Sequence, residues 1–478
     1  MNAPLGARGL VVSGLSVAAG TTTIVDDVSF TLSQGRPMTL LGASGSGKSL
    51  VAHAIMGSLP PGLTASGAIH LDGADLFAAD DRPDTRWGRT IALLPQEPWL
   101  ALDPTMRIGA QVMEVHRHLH GARPAEARRR GLSDLAEVGL ADRADAYPFA
   151  LSGGMCQRAA IAIAHAAGAG LLIADEPTKG LDAVLRDGVV ARLRREVEQG
   201  RLLLTITHDI AVAKALGGMI GVMLDGRLVE FGPAAEVLER PRHDYARALI
   251  AADPSHWRAP SLPAPTDVVV QGHKLAKSFG GRELFSGLDI SVRRGEVIAI
   301  TGPSGCGKTT IGNLLLGLAA PDAGGVERSR GVAPQRFQKL YQDPPAAFAP
   351  HQTLRRGLEH LLKLHRLPWR QAEEAMERLA LAPVLLDRRP GEVSGGELQR
   401  FAILRALLLD PVFLFADEAT SRLDPVSQQD VVAILIDAVR NRGLALLIVT
   451  HEIALAERVA SRVIRIGSDL PLAGGGDA

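Results

Sequence analysis

Two glycine-rich runs, "GASGSGKSL" at 42–50 and "GPSGCGKTT" at 302–310, do most to limit the folds open to this chain. Both satisfy G-x-x-x-x-G-K-[ST], with Gly42, Gly47, Lys48 and Ser49 in one and Gly302, Gly307, Lys308 and Thr309 in the other. Such a run needs glycine because main-chain N–H groups must wrap closely around a phosphate chain. The N-terminus of a following helix adds positive potential, the lysine reaches the β- and γ-phosphates, and the hydroxyl serves Mg²⁺. Ser44, Gly45, Ser304 and Gly305 complete the two expected phosphate cradles. Each run lies between a strand-like apolar segment and a helical one, so the pattern predicts strand, loop and helix twice over.

The rest of the chain repeats in the same order. "ALSGGMCQRAAIAIA" at 150–164 is echoed by "EVSGGELQRFAILRA" at 392–406, and "LLIADEPTKGLDAV" at 171–184 by "LFADEATSRLDPV" at 414–426. "LLTITHDIAVA" at 203–213 has its counterpart in "LLIVTHEIALA" at 446–456. The lysines Lys48 and Lys308 stand 260 residues apart, the acids Asp175 and Asp417 only 242. Most of that loss falls before Gln342, which implies two folded domains whose connecting loops have drifted. Expected boundaries are 1–252 for the first domain, with a short C-terminal extension, and 267–468 for the second. A proline-rich linker at 253–266 would join them, and 469–478 would form a flexible tail.

Each copy opens with short alternating β-segments, such as "GLVVSGLSV" and "VVVQGHKLAKSF". Apolar runs bounded by polar residues follow a helical middle section, as buried parallel strands should. The expected class is α/β: two P-loop NTPase domains, each with a RecA-like core, a small antiparallel β region and a helical subdomain. Lys+Arg and Asp+Glu balance at 52 each, which gives no general attraction to nucleic acid or anionic lipid. Two cysteines, Cys156 and Cys306, make no disulfide framework. The start of the chain lacks the pattern of a signal peptide. The uncharged run at 159–174 is shorter than the roughly 20 apolar residues of a spanning helix, so the polypeptide is expected to be soluble.

Asp175 and Asp417 end apolar strands, which sends them to the rim of a sheet where a magnesium shell would sit. The next residues, Glu176 and Glu418, are placed to polarise a water. Together these features resemble the ATP-binding-cassette (ABC) ATPases over nearly the whole chain. The family signature would be Ser152-Gly153-Gly154 after Leu151 and Ser394-Gly395-Gly396 after Val393, with Met155 and Glu397 where glutamine is usual. Gln96 and Gln342 match the Q-loop, which implies roles toward Mg²⁺, water and a membrane partner. His208 and His451 match the switch histidine, Asp182 and Asp424 the D-loop. The resemblance implies ATP and Mg²⁺ as cofactors. It also implies composite sites, one pairing Lys48 and Glu176 with Ser394-Gly395-Gly396, the other Lys308 and Glu418 with Ser152-Gly153-Gly154.

Departures from the pattern matter. The aromatic that stacks on adenine is present as Phe279 in "LAKSFGG", but "LSVAAGTTT" offers only Ala18 and Ala19, so the first site is expected to bind ATP more weakly. Cys306 lies inside one loop and Cys156 follows the signature that should close on it; they are either unrelated small core residues or a thiol-sensitive pair. In "HRHLH", His116 and His120 share a helix face, read here with Arg128-Arg129-Arg130 as a solvated face rather than a metal site.

Within the family, "YPFALSGGMCQR", "ERPRHDYARALIAADP" and "LYQDPPAAFAPHQTLRRGLEHLL" are similar to importer ATPases of the dipeptide, oligopeptide and nickel group. That likeness implies nickel, a metal–metallophore complex or peptides as cargo. Partners would be two transmembrane permease subunits and, through them, an extracytoplasmic substrate-binding protein, with no nucleic acid. The chain would sit peripherally on the cytoplasmic face of the inner (plasma) membrane. The four-cysteine cluster segment of many first-type members has no counterpart, so no iron–sulfur cluster is expected. The alternative is a soluble tandem ABC ATPase acting on ribosomes or nucleic acid, a type whose linker is long and charged.

Overall fold

Both glycine-rich runs sit where a short buried strand delivers them. Met38–Leu41 is buried at every position and leads through residues 42–47 into the helix Lys48–Met56; Val297–Thr301 and the helix Lys308–Leu316 repeat this arrangement. The computed structural model describes residues 9–43, 45–78, 83–179, 181, 183–303, 305–420 and 423–467. Ser44, Ser304, Asp182 and the tail at 469–478 therefore lie outside the described residues. The chain divides into two compact units, Met1–Ala251 and Ala252–Ala478.

In the first unit a six-stranded sheet runs in the order Arg227–Pro233, Met219–Leu224, Met38–Leu41, Leu202–Thr207, Leu171–Asp175, Ile91–Leu94. Every neighbouring pair is parallel except the first, a hairpin. Leu171–Asp175 and Leu202–Thr207 are buried throughout, so both faces are covered and the sequence reads as unbroken apolar runs. On one face, Val51 and Ile55 of the loop-following helix pack with Leu10, Val12 and Val17 of an antiparallel sheet. That sheet orders Thr22–Ser33, Gly9–Ala19, Leu63–Leu71 and Ala74–Asp75. On the other face, Ile161 and Ala164 of the helix Gly153–Ala167 pack with Leu172, Ala174, Leu193 and Leu203. The same helix turns Cys156, Ala159 and Ala162 toward Ile108, Val112 and Leu135, the core of the helical region.

The second unit has a fully parallel sheet in the order Phe337–Leu340, Phe413–Asp417, Ala445–Val449, Val297–Thr301, Arg462–Arg465. Its antiparallel sheet has three strands, Arg282–Arg293, Val268–Phe279 and Ala323–Arg328. The residues missing between Lys308 and Gln342 fall where the first unit carries its fourth strand, Ala74–Asp75, and the helical turn Pro83–Arg86. The architecture is the expected one, two α/β units of the P-loop NTPase plan.

The proline-rich stretch at 253–266, read from composition as an exposed linker, is pinned to the second unit. Trp257 is 9% exposed, belongs to the core cluster containing Val432, Leu455 and Val459, and donates its indole N–H to Ala252 O at 3.0 Å. Arg440 and Arg458 donate to the carbonyls of Ser261 and Ser255. One large buried aromatic can anchor a segment whose other side chains bury little. Trp257→Ala is expected to cost the second unit about 3 kcal/mol and to open Arg258 to trypsin. Denaturant unfolding and limited proteolysis of the full chain check this, and an unchanged cleavage pattern would mean a free spacer.

Candidate functional site

The two loops are shaped by close approach. A Cβ on Gly42 would lie 2.4 Å from Met223 O, and one on Gly302 2.2 Å from Ile466 O, so only glycine fits. Gly47 and Gly307 cap the following helices at φ 94° and 97°, where glycine carries no penalty. Both lysines are folded onto their own loops. Lys48 Nζ donates to Gly42 O at 2.9 Å, Ala43 O at 2.7 Å and Ser46 Oγ at 3.2 Å; Lys308 Nζ donates to Gly302 O at 2.8 Å and Pro303 O at 2.9 Å. A buried ammonium on a helix N-terminus is an anion site by its electrostatics alone.

Asp175 and Asp417 do reach the rim beside these loops, but in different surroundings. Asp175 is buried, and among the described residues its Oδ1 has no hydrogen-bond partner. Burial holds its carboxyl above the ordinary range, opposed by the Ser49 hydroxyl and by Lys48. Asp417 accepts from Thr309 Oγ1 at 2.8 Å and pairs through Oδ2 with Lys339 Nζ at 3.2 Å. Lys339 also donates to Asn313 Oδ1 at 2.9 Å and lies over the Phe415 ring. Strand register puts Lys339 opposite Phe415 as Leu93 lies opposite Ile173, so the first unit has an apolar side chain where the second has an ammonium. Sequence reading missed Lys339; the signal was a lone charge in a short edge strand.

Glu176 and Glu418 are left-handed at φ 49° and 50°, a conformation costing a non-glycine residue about 1–3 kcal/mol. Their N–H groups are held by Ile206 O at 2.8 Å and Val449 O at 3.0 Å. Glu176 accepts from Thr207 Oγ1 at 3.1 Å and meets His208 Nδ1 at 2.7 Å. Glu418 accepts from Gln342 Nε2 at 2.6 Å and meets His451 Nε2 at 2.5 Å. Gln96 is exposed, and among the described residues no hydrogen bond joins it to Glu176. Burial disfavours charge on Glu176 and His208 alike, yet their attraction prevails. Glu176 is held below the ordinary carboxylate range and His208 above the ordinary imidazole range.

Ser152 and Ser394 each begin a helix and cap it, accepting from Met155 N–H and Glu397 N–H, both at 3.3 Å. Glu397, in the place of the usual glutamine, returns the bond to Ser394 N–H at 2.8 Å and closes a capping box. A Cβ on Gly153 or Gly395 would meet nothing within 4 Å, while Gly154 and Gly396 approach Leu181 and Leu423. Gln157, another residue missed from sequence, is buried and donates to Pro177 O at 2.9 Å, tying this helix to the turn after Glu176. Asp424 caps the helix Pro425–Arg442 by accepting from Ser427 N–H at 3.1 Å. Gly45 and Gly305 take φ 83° and 79°. Phe279 is 59% exposed at its strand end, and Ala19 holds the matching position opposite Thr22.

One side reading changes and one is narrowed. His116 is buried and bonded to Asp134 at 2.6 Å, and His120 to Ala166 O at 2.7 Å; these histidines tie helices together rather than forming a solvated face. Cys156 is a core residue whose thiol burial pushes up, whereas Cys306 is half-buried.

Residues 25–179 and 285–421 match the family model described as ABC transporter. The chain belongs to the ABC transporter family. It is 34% identical to the peptidoglycan transport ATP-binding protein YejF of Agrobacterium fabrum, over 95% of this chain and 90% of that one. It is 31% identical to the glutathione import ATP-binding protein GsiA of Escherichia coli O157:H7, over 92% and 81%. Among solved structures, the RNase-L Inhibitor shares its fold, with TM-score 0.64, 21% identity, and coverage of 91% of this chain and 84% of that one. This ABC chain is thus an ATP-binding transport ATPase. Among the described residues no helix is long and apolar enough to cross a membrane.

The Glu176–His208 pair has a definite pH signature. His208, with its pKa raised, contributes stability that is complete below about pH 6.5 and is lost as pH rises through the raised value. Glu176, with its pKa lowered, contributes above about pH 4.5 and loses that contribution as pH falls through the lowered value. Thermal unfolding from pH 6 to 9 is expected to show an alkaline loss in the first unit that His208→Gln abolishes. Equal slopes in both proteins would mean the pair is uncharged.

Proposed function

We propose that this chain is the ATP-hydrolysing component of an ABC importer for peptide-bearing cargo, with both hydrolytic sites on one polypeptide. The observation that carries hydrolysis is the strained glutamate in each unit, buried at Glu176 and half-buried at Glu418, held by a histidine at the rim that bears the phosphate loop. The names of the two relatives, peptidoglycan transport and glutathione import, support import and favour peptide-bearing cargo over nickel or a metal–metallophore complex. Two transmembrane permease subunits and an extracytoplasmic binding protein would be partners, and the chain would sit peripherally at the cytoplasmic face. Solved relatives at such low identity speak to fold alone, so ribosome or nucleic-acid action gains no support from them.

In this reading Lys48 and Lys308 exchange their loop carbonyls for nucleotide phosphates, which the N–H groups of 45–49 and 305–309 surround. Phe279 stacks on adenine in the second site. The donors near each loop fit a small hard cation: the unpartnered buried Oδ1 of Asp175 with Ser49, and Asp417 with Thr309. Gln96 and Gln342 would complete those sets, and Mg²⁺ bound there would neutralise phosphate charge. Glu176 and Glu418 orient the attacking water, and His208 and His451 hold the carboxylates and face the γ-phosphate. Gly153 and Gly395, the first residues of their helices, have open space where a Cβ would stand, so no steric need inside their own unit calls for glycine. Ser152-Gly153-Gly154 and Ser394-Gly395-Gly396 are thus suited to a ligand approaching from outside, and we assign each to the γ-phosphate held by the other unit. Asp182 and Asp424 would support that closure.

The test is reconstitution with the partner permeases and cargo-loaded binding protein. Glu176→Gln and Glu418→Gln are each expected to lower cargo-stimulated ATP hydrolysis by roughly 10²–10⁴-fold; hydrolysis stimulated by ribosomes and not by the loaded binding protein would overturn the importer reading. Because Ala19 stands where Phe279 could stack, Lys308→Ala, which leaves the first site, is expected to bind ATP more weakly than Lys48→Ala by roughly 1–3 kcal/mol. Equilibrium titration of the two variants measures the difference.

A further inference from the structure

One side chain reaches the first phosphate loop from far along the chain. Ala43 N–H donates to the hydroxyl oxygen of Tyr245 at 2.8 Å, across 202 residues. Tyr245 lies in the helix Asp244–Ala251, whose Ala246 and Leu249 are fully buried. The turn entering that helix is fixed by its own bonds. Arg242 N–H and His243 N–H donate to the Glu230 carboxylate, each at 2.9 Å, and Tyr245 N–H donates to His243 Nδ1 at 3.1 Å. The phenol is therefore presented to the loop by a built support.

The second loop meets the same geometric need differently. Its residue at the place of Ala43 is Pro303, which has no N–H to satisfy and whose ring fixes φ. The glycines of the two loops agree closely in torsion: Gly42 and Gly302 at 156° and 151°, Gly45 and Gly305 at 83° and 79°, Gly47 and Gly307 at 94° and 97°. One backbone path is thus held in one case by a proline and in the other by a donor bonded to a distant phenol.

We propose that Tyr245 is a positioning residue for the first nucleotide site, keeping its phosphate loop in binding shape through Ala43 N–H, a task that Pro303 performs internally in the second. This rests on the phosphate-binding role proposed for residues 45–49. It makes nucleotide affinity at Lys48 depend on the segment from Glu230 to Ala251.

The test uses the full chain carrying Lys308→Ala, so that a fluorescent ATP analogue reports the first site alone. Tyr245→Phe removes only the hydroxyl and is expected to weaken binding roughly 3- to 10-fold, with the thermal midpoint unchanged. Adding Ala43→Pro, which deletes the N–H, is expected to restore affinity, a rescue that a merely structural role for the tyrosine would not give. If Lys48→Ala abolishes binding while Tyr245→Phe leaves it intact, the tether alone is overturned. A loss in Tyr245→Phe that Ala43→Pro does not repair also overturns it. If Lys48→Ala binds normally, the phosphate-loop assignment falls and the tether with it.

Discussion

A parallel sheet buried on both faces has room for charge only at its rim, and the placement of every proposed catalytic group follows from that constraint. Leu171–Asp175, Leu202–Thr207 and Met38–Leu41 are apolar or neutral until their carboxyl ends, where Asp175, Glu176, His208 and Lys48 follow within a few residues. Phe413–Asp417, Ala445–Val449 and Val297–Thr301 do the same for Asp417, Glu418, His451 and Lys308. Adjacent parallel strands end together, so residues far apart in sequence arrive at one edge without any of them crossing the core. The carboxylates there are buried enough to attract a lysine or a histidine strongly, as Asp417 does Lys339 and Glu176 does His208.

Duplication has left the two units alike in plan and unlike in detail, and the differences are electrostatic and local. Lys339 neutralises Asp417, while Leu93 leaves Asp175 to a raised pKa. Glu397 closes a capping box on Ser394 that Met155 cannot form on Ser152. Phe279 offers an exposed ring where Ala19 offers none. Gln342, though exposed, is bonded to Glu418, while among the described residues no hydrogen bond joins Gln96 to Glu176. The Lys339/Leu93 exchange reaches the margin of the cores, since Lys339 lies over the buried Phe415 ring and Leu93 packs against the first unit's core, while the others stay at the rims.

The plan was legible because its signals are local. A glycine spacing, an acid pair ending an apolar run and a histidine after the next such run each report on a few consecutive residues whose conformation the sheet dictates. What escaped depended on distant partners. Tyr245 meets Ala43 from 202 residues away, Gln157 meets Pro177 across the subdomain junction, and His116 is buried only because Asp134 on a second helix receives it. Trp257 was hidden by composition: four prolines suggest an exposed spacer, and a single indole outweighs them by burying far more apolar area.

The left-handed glutamates show why the acid pair could be read from sequence and its geometry could not. Along a strand, neighbouring side chains point to opposite faces, so Asp175 and Glu176 continued as strand would place one carboxylate away from the loop. The turn to φ 49° at Glu176, repeated at 50° in Glu418, breaks that alternation at the residue where the strand stops. Both Asp175 and Glu176 then feel the charge of Lys48. Glycine or asparagine would take this conformation more readily, but neither would bring a carboxylate to His208. The strain is held by the main-chain bond from Glu176 N–H to Ile206 O and by the histidine pair, each made only if the next strand is in register. Sheet register, main-chain strain and the ionisation of Glu176 are thus one coupled feature, and the second unit repeats the main-chain bond from Glu418 N–H to Val449 O and the contact with His451.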